Sequence, residues 1–411
     1  VKIALIMQEL LVEGGGERQC FCLASELAAQ GHQVTIYASS YDRQNCFPQL
    51  CTDLNVKETG RGRFAWLQRP RFIRGYLDMV RLAKVIEEKH DVWNPHHWPG
   101  QWGAVWLKEK LGGAVVWMSN DVPNLHEKAQ QQHPVRNFLK AVVYRLYYLY
   151  DRAQNRKVDI TVLVSKWAED EFRRIYPGKT CVVHPGMDPS QFQPGGDREK
   201  IRTRFGYAPD DFVVLWLGII MPHRRLQDAI DALADLRKRG LKVKLLIAGS
   251  EDAFPEYVNS LKAQVAGLGL ERDVTFSGKV VDNEIRDFYC AAHAFVFPNE
   301  HQTWGLAVLE AMSCGCPVVV SRGAAVHEAL LHNENAVLFP GRTPVVLADQ
   351  IERLATDRPF RLKIAEHGMQ LVRSRYGWKQ YAENVLGLFG QFVSEGAKES
   401  KLPQELTAAE P

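Results

Sequence analysis

Pro298–Ser321, reading PNEHQTWGLAVLEAMSCGCPVVVS, joins one apolar strand to the next through a polar loop and a helix. The helix opens at Trp304, Gly305 and Leu306, so its free backbone N–H groups face whatever lies beyond the strand ends. Glu310, one to two turns further on, is the only carboxylate of that apolar helical run. A helix N-terminus that can hold phosphate, with an acid placed for two ribose hydroxyls, suits a nucleoside diphosphate. The alternative is a plain buried helix with Glu310 at its edge.

Two further turns could meet the same ligand. Gly14, Gly15, Gly16, Glu17 and Arg18 follow the first strand and precede a helix spaced by Phe21, Leu23, Ala24 and Leu27. Consecutive glycines let backbone approach a phosphate closely. The pattern is neither G-x-G-x-x-G nor a P-loop, which removes support from hydride transfer and ATP hydrolysis. A glycine-rich loop without function is the competing possibility. In the second half, strand Phe212–Leu217 runs into Gly218 and then Arg224 and Arg225, just before a helix carrying Leu226, Ile230, Leu233 and Leu236. Cations at a helix N-terminus are locally unfavourable, so an anionic ligand is one reason for them and plain solvation the other. His96, His97 and Trp98 follow another strand, where adjacent side chains rarely converge on one metal ion. Lining of an acceptor cleft, or a structural role, competes with metal there.

Such turns need strands to present them, and the chain alternates short apolar runs with helical patterns throughout. The first series of strands is expected at Lys2–Met7, Gln33–Ala38, Asp91–Asn94, Ala114–Met118 and Ile160–Val164. The second is expected at Phe212–Leu217, Lys242–Ala248, Val274–Phe276, Ala294–Phe297, Pro317–Val320 and Ala336–Phe339. Asp188–Asp211, rich in Pro, Gly, Gln and charge, reads as a linker between two doubly wound α/β domains. The expected division is 1–190, 191–375, a terminal helix within 376–395 (Lys379–Ser394) and a polar, disordered tail at 396–411. The two sheets are expected to face each other across a cleft.

At 411 residues two domains are the natural size, and a net charge of +3 does not argue for nucleic acid. No apolar run approaches ~20 residues, so no bilayer span is expected. The eight cysteines lack zinc-ligand spacing and are expected to be reduced, cytoplasmic thiols.

In order and spacing the chain resembles the retaining GT-B glycosyltransferases of the large family four. The resemblance runs from Gly14–Arg18 through His184-Pro185-Gly186-Met187-Asp188 and Gly218–Arg225 to Ala248-Gly249-Ser250 and Phe276-Ser277-Gly278-Lys279-Val280. It ends on Gly305…Leu309-Glu310-Ala311-Met312 and Gly315-Cys316-Pro317-Val318. By resemblance, Glu310 binds ribose, while the backbone at Gly305 and Leu306, beside Trp304, holds the diphosphate. Arg224 balances β-phosphate charge, Gly218 allows close approach, and Gly15 and Gly16 face the phosphates from the first domain. Main-chain groups near Val280 contact the base.

Three positions depart from the family pattern. Gln302 stands where the first acid of a glutamate pair is expected, with Glu300 as a nearby substitute or a solvated carboxylate. Ile219 replaces an arginine, a loss that Arg225 could make good. Asn120, followed by Asp121, replaces a histidine, and Asp121 reads equally as an acceptor or sugar contact or as a turn cap within Asn120–Asn124.

The activity implied is hexose transfer with retention from a nucleotide-sugar, a UDP-sugar first and GDP-mannose second, without metal or other cofactor. The implied acceptor is a glycan or lipid-linked saccharide, as in surface polysaccharide synthesis. A sugar-nucleotide epimerase and a non-catalytic nucleotide-sugar-binding subunit are the alternatives. The expected location is cytoplasmic. Contact with the inner membrane face is one expectation for the basic, aromatic segments Arg61–Lys84 and Val135–Arg152, and burial of their aromatics is the other.

Overall fold

A computed structural model describes residues 1–11, 14–61, 71–122 and 138–395, arranged as two compact units. Unit 1 contains β1 Lys2–Leu10, β2 Gln33–Tyr41, β3 Asn55–Glu58, β4 Val92–Pro95, β5 Ala114–Ser119, β6 Ile160–Leu163 and β7 Thr180–Val182. All pair in parallel in the order β3-β2-β1-β4-β5-β6-β7. Its connecting helices are α1 Gly15–Ala29, α2 Arg71–Val85, α3 Gly100–Leu111, α4 Phe138–Asn155 and α5 Lys166–Ile175. Strands covered on both faces read as continuous apolar runs, which is why the central ones are plain in the sequence. The edge strands β3 and β7 are not: they are short, half-exposed or exposed, and β3 (NVKE) is polar.

Unit 2 contains α6 Arg198–Arg204, β8 Phe212–Leu217, α7 Leu226–Lys238, β9 Val243–Ala248, α8 Pro255–Gly267 and β10 Val274–Gly278. It continues with α9 Ile285–Ala291, β11 Ala294–Phe297, α10 Leu306–Ser313, β12 Val318–Ser321, β13 Val337–Phe339, α11 Pro344–Thr356 and α12 Arg358–Arg375. The six strands are parallel in the order β10-β9-β8-β11-β12-β13.

The stretch Asp188–Asp211 is not a linker. Phe192 and Ile201 are buried, the Phe192 carbonyl accepts from Ser313 Oγ at 2.5 Å, and Arg286 donates to the carbonyls of Gln193 and Pro194 at 2.8 Å. Two apolar anchors hold it to unit 2 despite its loop-like composition. The chain enters unit 2 at Met187 and leaves it at Gly377. Met187 and Gly377 form a parallel bridge, and the Met187 N–H donates to the Tyr376 carbonyl at 2.7 Å.

The last helix, α13 Trp378–Glu395, belongs to unit 1. Its Ala382, Val385 and Phe389 join the unit 1 core, and Gln19 of α1 donates to Tyr381 Oη at 2.6 Å. The tail from Gly396 lies outside the described residues, as do Arg63, Phe64, Trp66, Arg69, Arg136 and Asn124.

The described aromatics of the two basic segments pack within unit 1. Tyr76 meets Trp106 edge-on at 5.6 Å, and Tyr147 meets Trp102 at 5.1 Å. Asp151 of α4 sits beneath them, fully buried. Its Oδ1 accepts from Trp98 Nε1 at 3.1 Å, Gln101 Nε2 at 3.0 Å and Trp102 Nε1 at 2.7 Å, and its Oδ2 from Tyr176 Oη at 2.5 Å. Burial raises its pKa above the usual carboxylate value, and the hydrogen bonds pull against that shift. Val142, Leu146 and Leu149, at helical spacing on α4, remain exposed. Among the described residues no helix is long and apolar enough to cross a membrane.

Candidate active site

Parallel strands all end at one edge of a sheet, and ligands collect where the strand order reverses. In unit 2 that point lies between β8 and β11. Gly218 leaves β8 with φ 151°, a conformation that side chains avoid, and donates to the Ala248 carbonyl at 3.0 Å. Ile219 is 50% exposed. A 3₁₀ turn, Pro222–Arg224, follows, and Arg225 then adopts a left-handed conformation (φ 54°, ψ 38°) to start α7.

The two arginines meet different surroundings. Arg225 is held by Asp228, with Nε to Oδ2 at 3.0 Å and Nη2 to Oδ1 at 2.8 Å, and lies 4.0 Å from Glu300. Arg224 is half-buried, and among the described residues no carboxylate pairs with it. Burial pushes its guanidinium below the usual pKa, and Nε has no hydrogen-bond partner. Asn299, fully buried after β11, holds it in place. In the orientation that satisfies both groups, the Asn299 oxygen accepts from Arg224 Nη1 at 3.1 Å and its nitrogen donates to the Arg224 carbonyl at 3.3 Å.

The loop after β11 continues this edge. Glu300 is neither a free acid nor a solvated one: both its oxygens accept from Arg342 Nε at 2.9 Å, and that arginine lowers its pKa. Gln302 is paired through its backbone with Ala324, and its side chain, with Oε1 buried, lies against His223. Gly305 caps α10, and no side chain caps the helix there. A Cβ at Gly305 would stand 3.1 Å from both Phe297 and Val326. Trp304 is buried, tilted 6.3 Å from the Tyr376 ring. Glu310 accepts from Tyr289 Oη at 3.0 Å, and Tyr289 is fully buried against Phe295 and Phe192. Val280 follows β10 at the same edge, half-buried.

Unit 1 repeats the arrangement where its strand order reverses, between β1 and β4. A Cβ at Gly16 would fall 1.9 Å from His97 Nε2, so the imidazole occupies the space a side chain would need. A Cβ at the exposed Gly15 would meet nothing within 4 Å. Burial lowers the His97 pKa, and the charges of Glu17 and Asp121 oppose that shift. Asn120 keeps its Nδ2 buried without a partner, and the Asp121 carbonyl accepts from Ser119 Oγ at 2.9 Å.

His96 is a core residue. It is fully buried with Nε2 3.0 Å from Asn94 Oδ1, and burial takes its pKa down to about 3. Among the described residues no three His, Cys, Asp or Glu side chains are grouped to hold a metal.

The sequence profile described as "Glycosyl transferases group 1" matches residues 197–370, and that described as "Glycosyltransferase Family 4" matches 13–191. The D-inositol 3-phosphate glycosyltransferase of Frankia alni is 30% identical over 395 residues, covering 91% of this chain and 94% of that protein. The mannosylfructose-phosphate synthase of Agrobacterium fabrum is 26% identical over 423 residues, covering 95% and 88% respectively. Among solved structures, Anabaena HepE in complex with UDP-glucose is similar with a TM-score of 0.74 at 19% identity, covering 95% of this chain and 99% of HepE.

Proposed function

This chain belongs to the group 1 glycosyltransferases of family four, with the GT-B fold of two parallel-sheet units, and we propose that its reaction is metal-free, retaining hexosyl transfer. Arg224 is the observation that carries this. A half-buried guanidinium without a counter-charge is electrostatically incomplete, and a diphosphate at the start of α10, where no side chain caps the helix, would complete it. During transfer the anomeric carbon–phosphate oxygen bond breaks and a bond to the acceptor oxygen forms. The departing diphosphate takes the acceptor proton, while Arg224 and the α10 N–H groups stabilise its growing charge. Glu310 takes the ribose hydroxyls.

Tyr289 fixes one oxygen of that carboxylate from below. Tyr289→Phe is expected to raise the donor KM about fivefold, near 1 kcal/mol, with kcat little changed. An unchanged KM would reduce Tyr289 to core packing.

UDP-sugar is the preferred donor, supported by the HepE complex with UDP-glucose, and GDP-mannose is second. The proposed acceptor is a glycan or a lipid-linked saccharide. Exposed Val142, Leu146 and Leu149 support membrane contact, which flotation with anionic vesicles at low salt checks: protein left at the bottom removes it.

The deciding measurement is thermal stability with UDP, GDP, ADP, UDP-glucose and GDP-mannose in EDTA. One nucleotide family at ~100 times its Kd should add about 2.7 kcal/mol, and its sugar nucleotides should support transfer. A flat response from folded protein overturns the donor site. Gln302, Ile219 and Asn120 favour a second reading, a non-catalytic binding subunit, which predicts stabilisation without transfer or donor hydrolysis.

A further inference from the structure

At the opposite, N-terminal edge of the unit 2 sheet lies a cavity of about 280 Å³, lined by Asp211, Phe212, Lys242, Val243, His293 and Arg361 among others. Phe212 begins β8 and Arg224 follows its end, and six strand residues span roughly 20 Å. The cavity is therefore separate from the edge that carries Arg224.

The charges of three arginines bear on His293, Arg361 from the cavity lining and Arg198 and Arg202 from behind it, and among the described residues none of them pairs with a carboxylate. Arg202 is 4% exposed; it donates through Nη2 to the carbonyls of Ala208 and Asp211 and leaves Nη1 buried without a partner. Arg361 donates to the Leu354 carbonyl at 2.5 Å and lies over the Phe212 ring, 5.4 Å from its centre. Arg198 reaches His293. Lys242 pairs with Asp210 at 2.6 Å, and Asp211 Oδ2 accepts from the Ala208 N–H at 2.8 Å. Four cations (Arg198, Arg202, Arg361, Lys242) against two carboxylates (Asp210, Asp211) leave an excess of two positive charges.

His293 shows what is missing. The Val213 N–H donates to its Nδ1 at 3.0 Å, so a neutral ring carries its proton on Nε2. Arg198 Nη2 stands 2.7 Å from that same Nε2, a donor facing a donor. Ring protonation cannot relieve this, because it puts a hydrogen on both nitrogens, and burial and the three arginines disfavour it, taking the pKa down to about 3. An oxygen accepting from both groups would relieve it. The ring itself is held in place by stacking on Phe212, at 5.0 Å and 18°.

We propose that this cavity binds a phosphate dianion, free or as a small monoester, held by Arg198, Arg361 and the His293 Nε2–H. Isothermal titration of the full chain, without nucleotide, with inorganic phosphate and separately with glucose 6-phosphate tests it. Wild type and Arg224→Gln should bind alike, whereas Arg198→Gln should bind about tenfold more weakly. Tighter binding of glucose 6-phosphate assigns the site to monoesters, and equal affinities assign it to free phosphate. Should Arg198→Gln not fold, Lys242→Gln, at a largely exposed side chain, serves instead, with about threefold weaker binding expected. Equal affinity in the variant and wild type, loss of binding in Arg224→Gln, or no binding of either probe at about 20 mM overturns the proposal.

Discussion

Arg224→Ala is expected to lower kcat about a hundredfold, roughly 3 kcal/mol of barrier, while leaving the protein at least as stable as the wild type. The two halves of that expectation have one cause. In the free protein the guanidinium is half-buried, lacks a carboxylate partner and leaves Nε without an acceptor, so removing it relieves an electrostatic cost. In the transition state proposed above, the same charge would face the departing diphosphate. Arg224→Lys keeps the charge but not the fork that engages Asn299, and should recover only part of the loss. Rates at saturating donor beside melting curves decide the matter. An unchanged kcat would remove Arg224 from the chemistry, and a large fall in Tm would make it structural.

Asp151→Ala should produce the largest loss of stability of any substitution considered, about 4 kcal/mol in unit 1. The carboxylate accepts from Trp98, Gln101, Trp102 and Tyr176 together, and alanine leaves those donors facing each other around a small void. For a unit of this size that corresponds to a fall in Tm of roughly 8–16 °C.

The pH dependence has a definite sign. The folded pKa is raised above the unfolded value near 3.8, so the contribution is complete below that value and is lost as pH rises through the folded pKa. Asparagine at this position does not titrate. The Tm advantage of wild type over Asp151→Asn should therefore shrink as pH rises above the unfolded value near 3.8. An advantage that grows with pH would show that the hydrogen bonds, not burial, dominate.

The strands of unit 2 were readable because their burial on both faces leaves uninterrupted apolar runs such as FVVLWL and AFVF. β3 and β7 were not, because an edge strand buries little and its composition follows solvent. Turn chemistry marked Gly16, and the family resemblance Gly218, for close approach to a ligand; a Cβ at Gly16 would meet His97, and one at Gly218 would lie 3.5 Å from Trp216 and 3.6 Å from Arg224. Pairings over long separations were out of reach. Arg342 engages Glu300 from 42 residues away, and Tyr289 meets Glu310 across 21. Arg224 and Arg225 are adjacent and chemically identical in the sequence. In the structure, the left-handed turn at Arg225 goes with a guanidinium held by Asp228, while Arg224 engages Asn299 and no carboxylate. Asn299 carried no signal beyond its place after β11. Tyr289 carried only an aromatic type, which packing explains equally.

Unit 2 interrupts unit 1 in the sequence, between Gly186 and Trp378, and the bridge between Met187 and Gly377 brings its two ends together. On the ribosome this imposes an order. Unit 1 reaches Gly186 with the α1 face bare, since Tyr381, Val385 and Phe389 have not been synthesised. The 191 residues from 187 to 377 then take roughly 10–40 s to emerge at ordinary elongation rates, and unit 2 can close within that time. Unit 1 waits half-finished, with apolar surface showing, until α13 arrives. A nascent chain stalled near residue 377 should thus hold a protease-resistant unit 2 beside a chaperone-binding unit 1, and release of the final helix should reverse only the second.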